Sequence, residues 1–209
     1  MPNFENVSGK RRRGIIKVFS GGMFAGKTDA MINEADRAKY AKETYMFFKP
    51  VTDNRYGENV IKSRSRVTTI EATVLPVNGT QEDIEHVLEI TKDVDLVGFD
   101  EVQFFGDWIV ELATILRYRG KKVIMNGLDM TFEGKGFPTT SALMGISDYS
   151  LKLHAVCMCC GEEASFSQKL IDGKPAKGGS SVDVEDVSGN SSTTYEARCV
   201  NCFVPPEKA

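Results

Sequence analysis

The sequence predicts an α/β protein in which helices flank a parallel β-sheet, followed by a small cysteine-containing module. Three observations indicate this architecture. Short β-rich runs alternate with helical stretches from residue 14 to about residue 149, a glycine-rich loop joins the first strand to the first helix, and all five cysteines lie between residues 157 and 202. Alternating strands and helices favour a parallel sheet with right-handed crossovers.

The individual elements follow from local patterns. Strands are predicted for IIKVFS (15–20), TYMFFKP (44–50), VDLVGFDE (94–101) and KKVIMNG (121–127). Helices are predicted for Lys27–Tyr40, for residues 80–93 behind an incomplete capping box, and for Trp108–Tyr118 before Gly120. Residues 172–194 are crowded with Gly, Ser, Asp and Thr, which predicts a long loop held at both ends by cysteine pairs.

Composition limits the classes of function. The chain has 26 Lys plus Arg against 29 Asp plus Glu, so no broad basic face indicates a nucleic-acid partner. No window approaches the roughly 18 apolar residues that span a bilayer, and no signal-type stretch follows the basic N-terminus. We therefore expect a cytoplasmic protein with no membrane partner. Its predicted parts are a disordered basic tail (1–13), an α/β nucleotide-binding domain (14–150) and a zinc-binding domain (151–209).

The motif GGMFAGKT matches the phosphate loop G-x-x-x-x-G-K-[ST] and lies between a predicted strand and a predicted helix. Backbone N–H groups of such a loop wrap an anionic phosphate at the positive end of the helix. Lys27 would reach the β and γ phosphates and Thr28 would bind Mg²⁺, which predicts a P-loop, RecA-like fold that binds ATP. The predicted phosphate-binding residues are Gly21, Gly22, Met23, Phe24, Ala25, Gly26, Lys27 and Thr28.

Two adjacent acids end the third predicted strand. An acid that ends a neighbouring parallel strand lies beside the phosphate loop, so Asp100 is predicted to bind Mg²⁺ together with Thr28. Glu101 points away from Asp100 if the strand remains extended. A carboxylate near the γ phosphate can deprotonate an attacking oxygen, which could belong to water or to an acceptor alcohol. The alternative for Glu101 is an exposed carboxylate without a catalytic role.

Gln103, Phe104 and Phe105 follow these acids directly. An amide and a flat aromatic ring beside the presumed base suit hydrogen bonding to, and stacking on, a nucleobase. This favours a small-molecule kinase over an ATPase. At least one of the two phenylalanines is expected to belong to the core instead.

The cysteines form two C-x-x-C pairs, Cys157 with Cys160 and Cys199 with Cys202, and Cys159 belongs to neither pair. In a cytoplasmic chain this pattern favours thiolate ligands over disulfides. It predicts a structural zinc site of four cysteines, which leaves no open position for catalysis. Its expected role is to anchor both ends of the 161–198 loop, so that a poorly packed segment can fold over the site.

Several motifs in a fixed order make the chain similar to a known family. They are GGMFAGKT, KPVTDNRY (49–56), DEVQFF (100–105), GLDMTFEGKGF (127–137), LHAVCMCCGEEASFSQK (153–169) and Tyr195 four residues before the second cysteine pair. Over residues 14–203 the chain resembles the cellular-type (type II) thymidine kinases. Two departures are Lys169, where the family often has arginine, and a longer, more acidic stretch before Tyr195.

The resemblance implies an ATP- and Mg²⁺-dependent kinase that phosphorylates the 5′-hydroxyl of thymidine for deoxynucleotide salvage, with Glu101 as the general base. It also implies a homotetramer that dTTP inhibits. Asp53 and Arg55 would lie near the phosphates. The residues that would contact the nucleoside, the last three in a lasso loop, are Met23, Phe104, Leu128, Phe132, Phe137, Ser167, Val187, Gly189 and Tyr195.

Two other functions stay open from the sequence. A RecA-like ATPase whose zinc ribbon binds nucleic acid would need basic loops, and the acidic stretch DVED (183–186) argues against it. A non-catalytic nucleotide sensor would not need the carboxylate of Glu101.

Overall fold

The computed structural model describes residues 14–52, 59–63, 69–179 and 192–206. Its largest sheet has six strands, all parallel, flanked by helices, which confirms the predicted α/β fold. In spatial order the strands are β5 (Thr73–Leu75), β2 (Tyr45–Pro50), β6 (Leu96–Phe99), β7 (Lys122–Leu128), β1 (Ile15–Gly21) and β8 (Tyr149–Leu153). The helices are α1 (Lys27–Tyr40), α2 (Gln81–Ile90), α3 (Trp108–Tyr118) and α4 (Pro138–Ile146).

Helices cover both faces of this sheet. On one face, α1 packs Met31 and Ile32 against Phe47 in one apolar cluster. On the other face, α2, α3 and α4 pack against a second cluster that includes Phe48 and Phe99, whose rings stack at 5.3 Å. Every residue of β6 is buried, as expected for a parallel strand covered on both sides. Each buried phenylalanine stabilises the fold by about 1.5–3 kcal/mol.

The capping box of α2 is complete, although the sequence led us to expect an incomplete one. The Thr80 N–H donates to the Asp83 carboxylate at 2.7 Å, and the Asp83 N–H donates to the Thr80 hydroxyl at 3.3 Å. At the third helical position, the carboxylate of Asp83 therefore accepts the N-cap N–H, which in most capping boxes is the task of a glutamate or glutamine. The helix ends at Ile90, three residues earlier than predicted.

The expectation that the third strand stays extended through Glu101 is wrong. Strand β6 ends at Phe99, and Glu101 adopts the left-handed conformation with φ 51° and ψ 46°. The chain then continues into a short 3₁₀ turn, Val102–Phe104. The alternation of side chains along a strand therefore does not decide where Glu101 points.

The long loop predicted for residues 172–194 is also wrong in part, because its ends belong to an antiparallel sheet. This sheet has the order β12 (Lys174–Pro175), β11 (Phe166–Ile171), β13 (Thr193–Arg198). Strand β11 carries polar residues at buried positions, such as Gln168 and Lys169, and this hides the apolar alternation by which strands are normally predicted.

Shorter strands complete the described structure. They form two antiparallel pairs, β3 (Val60–Lys62) with β4 (Thr69–Glu71), and β9 (Ala155–Val156) with β10 (Glu163–Ala164). Across the described ranges, no helix has the length and apolar character needed to cross a membrane.

Candidate active site

The carboxyl ends of the parallel strands place three loops at one edge of the sheet. The glycine-rich loop follows β1, Asp100 follows β6, and Asp129 follows β7. Strand β1 lies directly beside β7, with Gly21 opposite Leu128. Ligands bind at this edge in open α/β sheets.

The glycine-rich loop has a backbone that only certain residues allow. Gly21 has φ 146°, and a Cβ there would lie 2.3 Å from the Leu153 carbonyl oxygen, so a side chain cannot be accommodated. Phe24 and Gly26 have left-handed φ values of 66° and 78°, and Gly26 is the N-cap of helix α1. Left-handed residues in short loops are typical of the concave N–H arrangements that bind anions.

Lys27 lies back across this loop. Its side chain is largely buried, and its Nζ donates to the Gly22 carbonyl oxygen at 2.8 Å. Thr28 is the second residue of α1 and is half-buried. The loop therefore combines an ammonium group, a hydroxyl group and the N-terminus of a helix, which together are suited to a phosphate group.

Asp100 and Glu101 are tied to each other and to the neighbouring strand. The Glu101 N–H lies 3.0 Å from the Asp100 Oδ1 and 3.2 Å from the Asn126 Oδ1, both of which accept from it. Asp100 is buried and donates its N–H to the Phe48 carbonyl at 2.9 Å. These bonds hold Glu101 in its left-handed backbone conformation, which costs roughly 1–2 kcal/mol.

The sequence analysis did not single out Asn126. Its side chain is buried in β7, where it also donates to the Met31 sulfur at 3.7 Å. The sequence feature that could have indicated Asn126 is a single amide side chain within the largely apolar run KKVIMNG. A buried amide normally has a hydrogen-bonding task, and here that task is to hold the backbone of Glu101.

Gln103 contacts the protein through both ends of its amide. Its Nε2 donates to the Glu101 Oε2 at 2.6 Å, and its Oε1 accepts the Leu128 N–H at 2.9 Å. The side chain is buried. Of the two following phenylalanines, Phe104 is half-buried and Phe105 is buried edge-on against Trp108 at 5.7 Å, so the expectation of one core phenylalanine is confirmed.

Several residues that the resemblance assigns to the nucleoside meet beside the loop. Phe132, Ala176 and Tyr195 form a small buried cluster against which Met23 packs. The Lys169 Nζ lies 5.1 Å from the centre of the Phe132 ring. The structure thus brings together the glycine-rich loop, the segment after β7 and the sheet formed by β11 and β13.

The other residues that the resemblance assigns to the nucleoside are not members of this cluster. Leu128 is half-buried at the end of β7, and Phe137 is buried just before α4. Ser167 is buried on β11, and its Oγ accepts the Met23 N–H at 2.9 Å. Four further predicted residues lie outside the described ranges: Asp53, Arg55, Val187 and Gly189.

Asp129 has a structural partner. Its carboxylate is buried and lies 2.8 Å from the Lys152 Nζ, which places the ion pair across the end of β1. The pair connects the segment after β7 with strand β8. We assign no chemical step to it.

The four cysteines of the two C-x-x-C pairs form a cluster that could hold a metal ion. Their sulfur atoms all lie within 4.8 Å of one another, with Cys160 and Cys199 at 3.6 Å. Tetrahedral zinc with Zn–S bonds of about 2.3 Å requires S–S distances of about 3.8 Å, so the residues fit zinc. Cys159 is exposed, contacts Arg198 and is not a member of the cluster.

The thiols of this cluster differ in their tendency to ionise. Burial raises the pKa of Cys157, but N–H groups of Cys199, Cys159 and Cys160 lower it, and the balance is a pKa of about 6. The thiols of Cys160 and Cys199 raise the pKa of Cys202. The Cys157 thiol is therefore readily ionised, whereas the Cys202 thiol resists ionisation. A bound cation would stabilise the negative charge on both sulfur atoms.

A comparison with protein families finds a match over residues 14–203 to the family described as thymidine kinase. The matched range covers the sheet, the glycine-rich loop, the acidic pair and all four clustered cysteines.

Proposed function

This chain belongs to the thymidine kinase family, and from that membership we propose that it transfers the γ-phosphoryl group of ATP to the 5′-hydroxyl of thymidine, giving dTMP and ADP. The observation that carries the proposal is the arrangement at one sheet edge. A phosphate-type loop with Lys27, the acidic pair Asp100 and Glu101, and the apolar cluster of Phe132 and Tyr195 all meet there.

The triphosphate would lie in the glycine-rich loop, with its charge balanced by Lys27 and the N-terminus of α1. Thr28 and Asp100 supply the oxygen donors that Mg²⁺ prefers and would hold this ion. When bound, Mg²⁺ neutralises charge on the phosphate oxygens. Asp53 and Arg55 are proposed as further contacts to the phosphates.

Glu101 would act as the general base. Its carboxylate takes the proton of the 5′-hydroxyl, the hydroxyl oxygen bonds to the γ-phosphorus, and the bond from phosphorus to the β–γ bridging oxygen breaks, so that ADP leaves. The nucleoside would lie between Phe104, Leu128, Phe132 and Phe137 and the lasso residues Val187, Gly189 and Tyr195. The cysteine cluster would hold a structural zinc ion that anchors this lasso. dTTP is proposed as an inhibitor that occupies the same site.

Replacing Glu101 with Gln tests the proposal. The amide keeps the shape of the side chain but cannot accept the proton, so kcat is expected to fall by about 10²–10⁴-fold while ATP affinity stays nearly constant. Phosphate transfer from radiolabelled ATP to thymidine gives kcat, and calorimetry gives ATP affinity. Glu111→Gln, on the exposed side of α3, is the control and should leave kcat unchanged.

Two results would contradict this function. Full turnover in the Glu101→Gln variant would show that Glu101 is not the general base. ATP hydrolysis that does not depend on thymidine would support the RecA-like ATPase instead.

A further inference from the structure

Gln103 lies between the carboxylate of Glu101 and the end of β7. Its Nε2 donates to the Glu101 Oε2 at 2.6 Å, and its Oε1 accepts the Leu128 N–H at 2.9 Å. Leu128 is the last residue of β7 and lies opposite Gly21 of the glycine-rich loop. One amide therefore connects the proposed base to the strand beside the phosphate site.

This arrangement disfavours a nucleobase contact for Gln103. Only 7% of the residue is exposed, and both polar ends of its amide bind protein atoms. A nucleobase could bind the amide only if one of these buried hydrogen bonds broke, which would leave a buried polar group without a partner.

Gly127 provides the space for this contact. A Cβ at residue 127 would lie 2.7 Å from the Val102 Cγ2 and 2.8 Å from the Gln103 Oε1. Real Cβ atoms do not approach other atoms so closely, so even alanine at this position would displace the Gln103 amide and the buried Val102 side chain. The Gln103 amide therefore occupies space that is free only because residue 127 is glycine.

We infer that Gln103 is a positioning residue for the phosphoryl transfer: it fixes the rotamer of the Glu101 carboxylate against β7 and does not read the base. The inference rests on the proposed role of Glu101. The backbone of Glu101 is held by Asp100 and Asn126, and Gln103 adds a contact at the carboxylate. A carboxylate fixed in this way needs no reorganisation before it accepts the proton.

Two substitutions of Gln103 test the inference. Gln103→Met keeps the length and removes both hydrogen bonds, whereas Gln103→Glu keeps an acceptor for the Leu128 N–H but replaces the donor to Glu101 with a second carboxyl group, which repels an ionised Glu101. Both are expected to lower kcat by roughly 10–100-fold, because a small misplacement of a reacting group costs up to about 100-fold, while KM for thymidine stays within about twofold. Gln81→Met, at the exposed start of α2, is the matched control.

A double-mutant cycle separates positioning from binding. In a Glu101→Ala background, residual transfer should not fall further when Gln103→Met is added, because Gln103 acts only through Glu101. Gly127→Ala should also lower kcat, because its Cβ displaces the Gln103 amide together with Val102. If Gln103→Met does not fold, as judged by circular dichroism, the Gln103→Glu and Gly127→Ala variants carry the test.

The outcomes distinguish this inference from the proposed function. An increase of KM for thymidine at constant kcat, or an equal loss of activity in both backgrounds, would show that Gln103 contacts the nucleobase and would overturn the inference. Full activity of the Glu101→Ala variant would show that Glu101 is not the general base, independently of the results for the Gln103 variants.

Discussion

At the scale of single residues, the proposed base depends on neighbours that are distant in sequence. Asn126 accepts the Glu101 N–H and is 1% exposed. Asn126→Ala should lower kcat by roughly tenfold or more, because the strained backbone of Glu101 loses one of its two acceptors. Steady-state kinetics will measure this effect. Asn78→Ala, at an exposed position before α2, should leave kcat unchanged, and a wild-type kcat in Asn126→Ala would contradict the prediction.

A second contact joins the glycine-rich loop to strand β11. The Ser167 Oγ accepts the Met23 N–H at 2.9 Å. Ser167→Ala leaves this N–H without its acceptor, which should lower the free energy of unfolding by about 1–3 kcal/mol and raise KM for ATP. Chemical denaturation and kinetics will test both effects against Ser150→Ala, an exposed position on β8. A change in KM for thymidine alone would instead indicate that Ser167 senses the base.

These residues show which features of the site could be predicted from the sequence and which could not. The glycine-rich loop and the acidic pair carry local patterns, so both could be identified as candidate site residues without a structure. The Asn126 and Ser167 contacts join residues 25 and 144 positions apart, and no local pattern records such a pairing. The left-handed backbone at Glu101 escaped prediction because glutamate rarely adopts it.

At the scale of elements, the parallel sheet was predictable because its strands are short apolar runs separated by helices. Strand β11 was not, because its buried residues include Gln168, Lys169 and Ser167. The Gln168 side chain pairs with the backbone of Val204 through both its Nε2 and its Oε1. Such tertiary hydrogen bonds make a polar residue suitable for burial, and they cannot be read from the sequence.

The capping box of α2 yields a prediction about pH. The N–H and the hydroxyl of Thr80 lower the pKa of Asp83, so the stabilisation from this contact is complete above the unfolded pKa and is lost as the pH falls through the folded pKa. Thr80→Ala keeps the N–H contact and removes the hydroxyl contact, so it should lower stability at neutral pH, and the difference from wild type should shrink towards about pH 3. Denaturant unfolding at both pH values, with Thr73→Ala at an exposed position of β5 as the control, will measure it. A difference independent of pH would contradict the assignment.

At the scale of the whole molecule, the cysteine cluster and the phosphate site are physically connected. Cys157 and Cys199 belong to a small buried cluster with Ala155, Ala164 and Ala197, and Ala25 of the glycine-rich loop packs against it. Strand β11 adds the contact between Ser167 and Met23. The cysteine cluster is therefore expected to support ATP binding as well as the proposed lasso.

Removing one zinc ligand tests this connection. In Cys202→Ser the four-thiolate site loses a ligand, so zinc content should fall well below one per chain, and the apolar cluster beneath Ala25 should loosen. We expect a lower melting temperature and weaker binding of both ATP and thymidine, because Ala25 of the glycine-rich loop packs on the cysteine cluster and Tyr195 lies on β13, which leads directly into Cys199. Cys159→Ser, which changes the exposed cysteine outside the cluster, is the control. Elemental analysis, thermal unfolding and calorimetry report the three effects, and an unchanged affinity for ATP after loss of zinc would show that the two sites are independent.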